Sequence, residues 1–101
     1  MQSVSLTCHP DRTELNFEGA LDASRAQAVY ETLNEALIRA LPLELHTARV
    51  ERIDGAGLQL FVALHRGAHA RGLSMRWRSM GPAVRSAAES LGLVQALEPP
   101  A

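Results

Sequence analysis

Residues 43–64 read LELHTARVERIDGAGLQLFVAL, and along them the apolar repeat lengthens from every second residue to every third or fourth. Leu43, Leu45 and Thr47 alternate with Glu44 and His46, the period of a strand with one face buried. A turn over Arg49 to Ile53 is expected to follow, leading into a helix through DGAGLQLFVALHRGAHARG. Leu58, Leu60, Phe61, Val62 and Leu64 wrap more than half the circumference of that helix, which predicts that most of it is buried. Gly72 is placed to stop it, because glycine accepts the left-handed conformation that closes helices.

Toward the N-terminus, Val4, Leu6 and Cys8 alternate with Ser3, Ser5 and Thr7, and Leu15 and Phe17 continue the same period after the turn residues HPDR. The first 17 residues therefore read as a β-hairpin, with Cys8 on its apolar side behaving as a small hydrophobe. Beyond Gly19, the residues Ala26, Val29, Leu33, Leu37 and Leu41 form one helical stripe that Pro42 ends. Asp22 or Ser24 is expected to cap this helix, with Gln27 completing a capping box three residues after Ser24.

Toward the C-terminus, Leu73, Met75 and Trp77 alternate with Ser74, Arg76 and Arg78, a further strand whose apolar residues read as core. Pro82 suits a first helical position; Val84, Ala88 and Leu91 share a face, and Gly92 is the expected stop. The tail over 97–101 is expected to fray. The order ββαβαβα predicts an α/β fold in one domain over 1–101, with three helices packed on a mixed four-stranded sheet and right-handed crossovers.

Composition narrows the chemistry. An apolar fraction of 47% in 101 residues supports a core without disulfides or structural metal. Cys8 is the one cysteine, so no intrachain disulfide forms, and a reducing cytoplasmic setting is expected. The start, MQSVSLTCHPDR, lacks the basic and apolar regions of a leader, and no segment reaches the roughly 18 apolar residues that span a bilayer. Ten basic residues against eleven acidic ones leave no excess positive charge for nucleic acid. All ten are arginine. Without lysine the chain cannot supply a Walker-type phosphate loop or a Schiff base.

Two connections occupy positions where α/β sheets carry function, beyond the carboxyl ends of strands: EGALD, Glu18 to Asp22, and IDGAG, Ile53 to Gly57. Asp54 is expected to cap the second helix, and Gly55 and Gly57 to serve a tight turn and close backbone packing. Asp22 and Asp54 would form a small acidic patch if both loops reach one edge. His65 and His69 have the i, i+4 spacing of metal ligands, but RGA between them offers no catalytic glutamate and no third ligand is apparent, so no metal or other cofactor is expected.

EGALD before a helix, then LELHTARVERIDGAGLQLFVAL, then LGL near the end resemble the STAS family, typified by bacterial anti-sigma factor antagonists. The short variants encoded beside chemotaxis genes, and the small subunit of a lipid-asymmetry ABC transporter, look most similar. The resemblance implies a non-catalytic module that docks on a kinase-like anti-sigma factor or a signalling histidine kinase, or alternatively an accessory subunit on the ATPase of an ABC lipid transporter. The docking edge would comprise Asp22, Asp54, Gly55, Ala56, Gly57 and Gln59. In switching members a serine or threonine follows the aspartate and is phosphorylated; here Gly55 stands there and Ala56 follows, so a constitutive binder is expected. The family's strand usually ends in an aspartate where this sequence has His46.

Overall fold

The structure, a computed structural model, describes residues 3–90. The elements run β1 (Val4–Cys8), β2 (Thr13–Leu21), α1 (Ala26–Ile38), β3 (Leu43–Ile53), α2 (Gly55–Ala70), β4 (Met75–Ser79) and α3 (Pro82–Ser90). They form one four-stranded sheet in the order β1-β2-β3-β4, antiparallel between β1 and β2 and parallel across the other two pairs. The mixed sheet and ββαβαβα order are those expected. The expected stop of α3 at Gly92, its stripe residue Leu91 and the frayed 97–101 tail lie outside the described residues.

Alternation in the strands decides the layering. Leu15, Phe17, Leu43, Leu45 and Trp77 are buried in one cluster with Val29 and Leu33 of α1, Leu58 and Phe61 of α2, and Val84 of α3. The intervening Glu14, Asn16, Glu44 and His46 are only partly covered, and Arg76 and Arg78 are exposed. Phe61 stacks obliquely between Phe17 and Trp77, with ring centroids 4.9 and 5.3 Å away, so three of the four aromatic residues meet at the centre. Tilted contacts of this kind add to area burial because ring edges and faces carry opposite partial charge.

Two strands are longer than alternation predicts. Glu18 to Leu21 continues β2, and Arg49 to Ile53, expected as a turn, continues β3. Register shifts fall between Asn16 and Glu18 and again between Gly19 and Ala20, where Gly19 has φ +73°. The extra residues of these bulges lie in β3, so the apolar phase moves there, whereas β2 keeps its phase and Leu21 is buried in step with Leu15 and Phe17. In β3, burial passes from Thr47 to Val50, a step of three in place of two.

Helix ends also differ from expectation. α1 stops at Ile38, before Leu41, because Ala40 adopts φ +57° and turns the chain toward Pro42. Its start carries no side-chain cap: a turn over 23–25 precedes Ala26, Ser24 donates to Asp22, and Gln27 reaches Glu31 at 3.4 Å. α2 ends as expected, at Gly72 with φ +70°. There Gly72 N–H donates to His69 and Leu73 N–H to the Ala68 carbonyl, the paired bonds of a Schellman closure. Cys8 shares the phase of Val4 but is exposed, since burial fades along the edge strand β1 from Val4 through Leu6.

Thr47 is fully buried and joins α3 to the sheet: its Oγ1 accepts from Gly81 N–H at 3.1 Å and donates to the Ser79 carbonyl at 3.1 Å. Thr47→Val keeps the volume but strands the Gly81 donor, so a loss of about 1–3 kcal/mol is expected, visible as a lower urea midpoint at unchanged slope.

Candidate functional site

The two connections singled out from the sequence meet at one end of the sheet. Leu21 and Ile53, the last residues of β2 and β3, are register partners, and Asp54 N–H donates to the Leu21 carbonyl at 3.2 Å. Asp54 then caps α2, its Oδ1 accepting from Gly57 N–H at 2.9 Å. A carboxylate here satisfies an amide that has no partner within the helix and opposes the positive end of the helix dipole.

The glycines of IDGAG do different work. A Cβ on Gly57 would lie 2.4 Å from the Leu21 carbonyl oxygen and 2.8 Å from Ile53 Cγ1, so the first turn of α2 sits directly on the end of β2 only because that atom is absent. Gly57 is buried. A Cβ on Gly55 would meet nothing within 4 Å, and its φ is not in the left-handed range. Of the expectation that Gly55 and Gly57 serve a tight turn and close backbone packing, the close packing is found at Gly57 alone, and neither glycine has a positive φ. Gly55→Ser is expected to fold with stability within about 0.5 kcal/mol of the parent by thermal denaturation.

Asp22 faces the same rim but does not cap α1. Its Oδ1 accepts from Ser24 Oγ at 2.6 Å and Ser24 N–H at 3.1 Å, and its Oδ2 lies 3.4 Å from Arg25. The Ser24 hydroxyl bond, and then the charge of Arg25, hold the Asp22 carboxyl below the usual carboxylate range. A shallow depression of about 310 Å³ lies between the connections, lined by Ala20, Leu21, Asp22, Arg52, Ile53 and Asp54. The rim is thus of mixed charge, with Arg25 and Arg52 beside the two aspartates. Asp54, Gly55 and Gln59 are exposed, Asp22 and Ala56 partly covered.

His65 and His69 remain on α2, the first partly covered and the second exposed, and no group of three metal-binding side chains among the described residues includes either. The group that does assemble is Glu14, Glu44 and His46 on the open face of the sheet. Sequence reasoning placed Glu44 and His46 on the outer face of a strand, noted His46 only as a departure from the aspartate usual in the resembling family, and did not single out Glu14. Only the register, with Glu14 opposite Glu44 and Asn16 opposite His46, brings them together.

The family model described as Mlab, STAS domain, matches residues 4–99. Among solved structures, Mglu is 26% identical with a TM-score of 0.69, covering 79% of this chain; the chain spans only 20% of the length of Mglu. An anti-sigma factor antagonist from Mycobacterium paratuberculosis is 20% identical, with a TM-score of 0.75, covering 91% of this chain and 79% of its own. SpoIIAA, an anti-sigma factor antagonist solved in its unphosphorylated form, is 18% identical with a TM-score of 0.74, covering 89% of this chain and 81% of its own. No curated protein sequence matches the chain.

Proposed function

Because the chain belongs to the STAS domain family, we propose that it is a non-catalytic regulatory module that binds another protein through the rim formed by Asp22, Asp54, Gly55, Ala56 and Gln59, with Gly57 buried beneath it. The carrying observation is the close seat of Gly57 on Leu21, which brings both connections to one shallow, mixed-charge edge. Such an edge suits a macromolecular surface that supplies complementary charges, since opposed charge patterns steer encounter and set register. The similarity in fold to two anti-sigma factor antagonists supports a kinase-like anti-sigma factor or a signalling histidine kinase as the partner. The position after Asp54 offers no hydroxyl, so the module binds constitutively in the cytoplasm, without a phosphorylation switch.

A second reading uses the same edge as an accessory subunit on the ATPase of an ABC lipid transporter; the Mlab description of the matching family model favours it. Among the described residues no helix is long and apolar enough to cross a membrane, so on this reading any membrane contact comes through the partner.

The test is binding of the purified chain to each class of partner encoded near its gene, with Gly55→Arg and Gln59→Arg as probes. Both positions are exposed, so the melting temperature should hold while affinity for the true partner falls tenfold or more. Unchanged affinity in both variants removes the rim from the interface. Genuine binding to the ATPase alone selects the second reading.

A further inference from the structure

The open face of the sheet carries a feature that docking at the rim leaves unused. Glu14 and Glu44 are register partners on β2 and β3, and like charges directly opposite on neighbouring strands repel. Beside them His46 Nε2 is buried and has no hydrogen-bond partner, lying 4.0 Å from Glu14 Oε2. An unpaired buried ring nitrogen costs free energy unless something meets it. One donor atom from each of the three residues lies within 4.8 Å of the other two.

The geometry points to a binding site for a single divalent transition-metal ion, of which zinc is the type, held by Glu14, Glu44 and His46. Zinc takes carboxylate oxygen and imidazole nitrogen at about 2.0–2.2 Å, so two ligands on one ion sit about 3–4 Å apart. His46 Nε2 and Glu14 Oε2 at 4.0 Å stand at the upper end of that range, and the three donor atoms need to draw together by small side-chain movements. An imidazole in the set favours zinc over magnesium or calcium, which prefer oxygen alone. A doubly charged ion would neutralise the two opposed carboxylates and give His46 Nε2 its missing partner.

The surroundings fit this role. His9 Nε2 lies 3.1 Å from Glu14 Oε1, and Asn16 donates to Glu14 Oε2 at 3.2 Å, outer contacts that orient a ligating carboxylate. Arg12 Nε donates to Glu44 Oε1 at 3.1 Å, leaving its second oxygen as the ligand atom and placing one guanidinium in competition with the ion. His46 also lines a concavity of about 490 Å³, with Asn16, Arg49 and Ser79 on its walls, through which a hydrated ion can approach. Glu14 and Leu21 are seven residues apart on β2, so this site and the rim are separated by roughly 20 Å of strand.

Zinc chloride titrated calorimetrically into the metal-stripped full chain is expected to bind at one equivalent with micromolar or tighter affinity, and to raise the melting temperature. His46→Ala and Glu14→Gln should each weaken binding tenfold or more while retaining the far-ultraviolet dichroism of the parent. A double His65→Ala, His69→Ala variant and Cys8→Ser should bind as the parent does. Absence of binding below 100 micromolar zinc, full affinity in His46→Ala, or loss of binding in either control variant would each overturn the assignment.

Discussion

Gly57→Ala is expected to destabilise the domain by about 3 kcal/mol or more, the upper part of the range for forcing one methyl group into a packed site. The added Cβ would meet the Leu21 carbonyl oxygen at 2.4 Å, and that oxygen is backbone at the end of a paired strand, with no rotamer to yield. Relief requires the first turn of α2 to lift. Lifting it also strains the Asp54 N–H bond to Leu21 and moves the cap at Gly57. Both stability and partner binding should therefore fall, whereas Gly55→Ala, two residues earlier, should be neutral or slightly stabilising because alanine is the better helix former. Chemical denaturation of the pair gives the comparison. Equal stabilities would show that Gly57 is not the contact that joins the two connections.

Phe61→Ala is expected to cost about 3–5 kcal/mol, the lost transfer energy of a buried ring plus the cavity it leaves. Phe61 is 1% exposed and is the middle member of the Phe17–Phe61–Trp77 stack, so its removal ends both ring contacts together. Against a total of roughly 5–15 kcal/mol for a domain of this size, the variant should melt about 15 °C or more below the parent. Phe61→Leu, which retains most of the volume, should lose well under half as much. A Phe61→Ala protein melting within a few degrees of the parent would mean that α2 is not anchored through this ring.

Most of the architecture is legible in the sequence, and the misreadings arise where contacts between distant segments override the local pattern. The strand at Leu43 and the helix after Asp54 were legible because their burial follows the periods of two and 3.6 that backbone geometry imposes. Arg49 to Ile53 reads as a turn because the extra residues of the bulged pairing lie in β3 and move its burial from Thr47 to Val50, whereas Glu18 to Leu21 reads as a connection because Glu18, Gly19 and Ala20 leave no large apolar residue between Phe17 and Leu21, although Leu21 keeps the phase. The capping box at Ser24 had the right residue types, but the Ser24 hydroxyl is committed to Asp22, and the helix begins after a further turn. Cys8 had the right phase for burial, but phase alone does not say how far cover extends along an edge strand.

The candidate site was legible in part. Asp54 as a cap follows from its place before an apolar helical run, and its bond to Gly57 agrees. That Gly55 and Gly57 differ could not be read from their spacing. The difference lies in what each Cβ would meet, which belongs to the approach of α2 to β2.

Composition alone excluded lysine chemistry, and local spacing determined the elements, their order and most residues that face the core, because periodicity depends on neighbours along the chain. Tertiary structure alone decided the strand register, which glycine is indispensable, the arginines that share the rim with two aspartates, and the meeting of Glu14, Glu44 and His46. Each of these is a distance between segments far apart in sequence, and such distances are set by how whole elements pack.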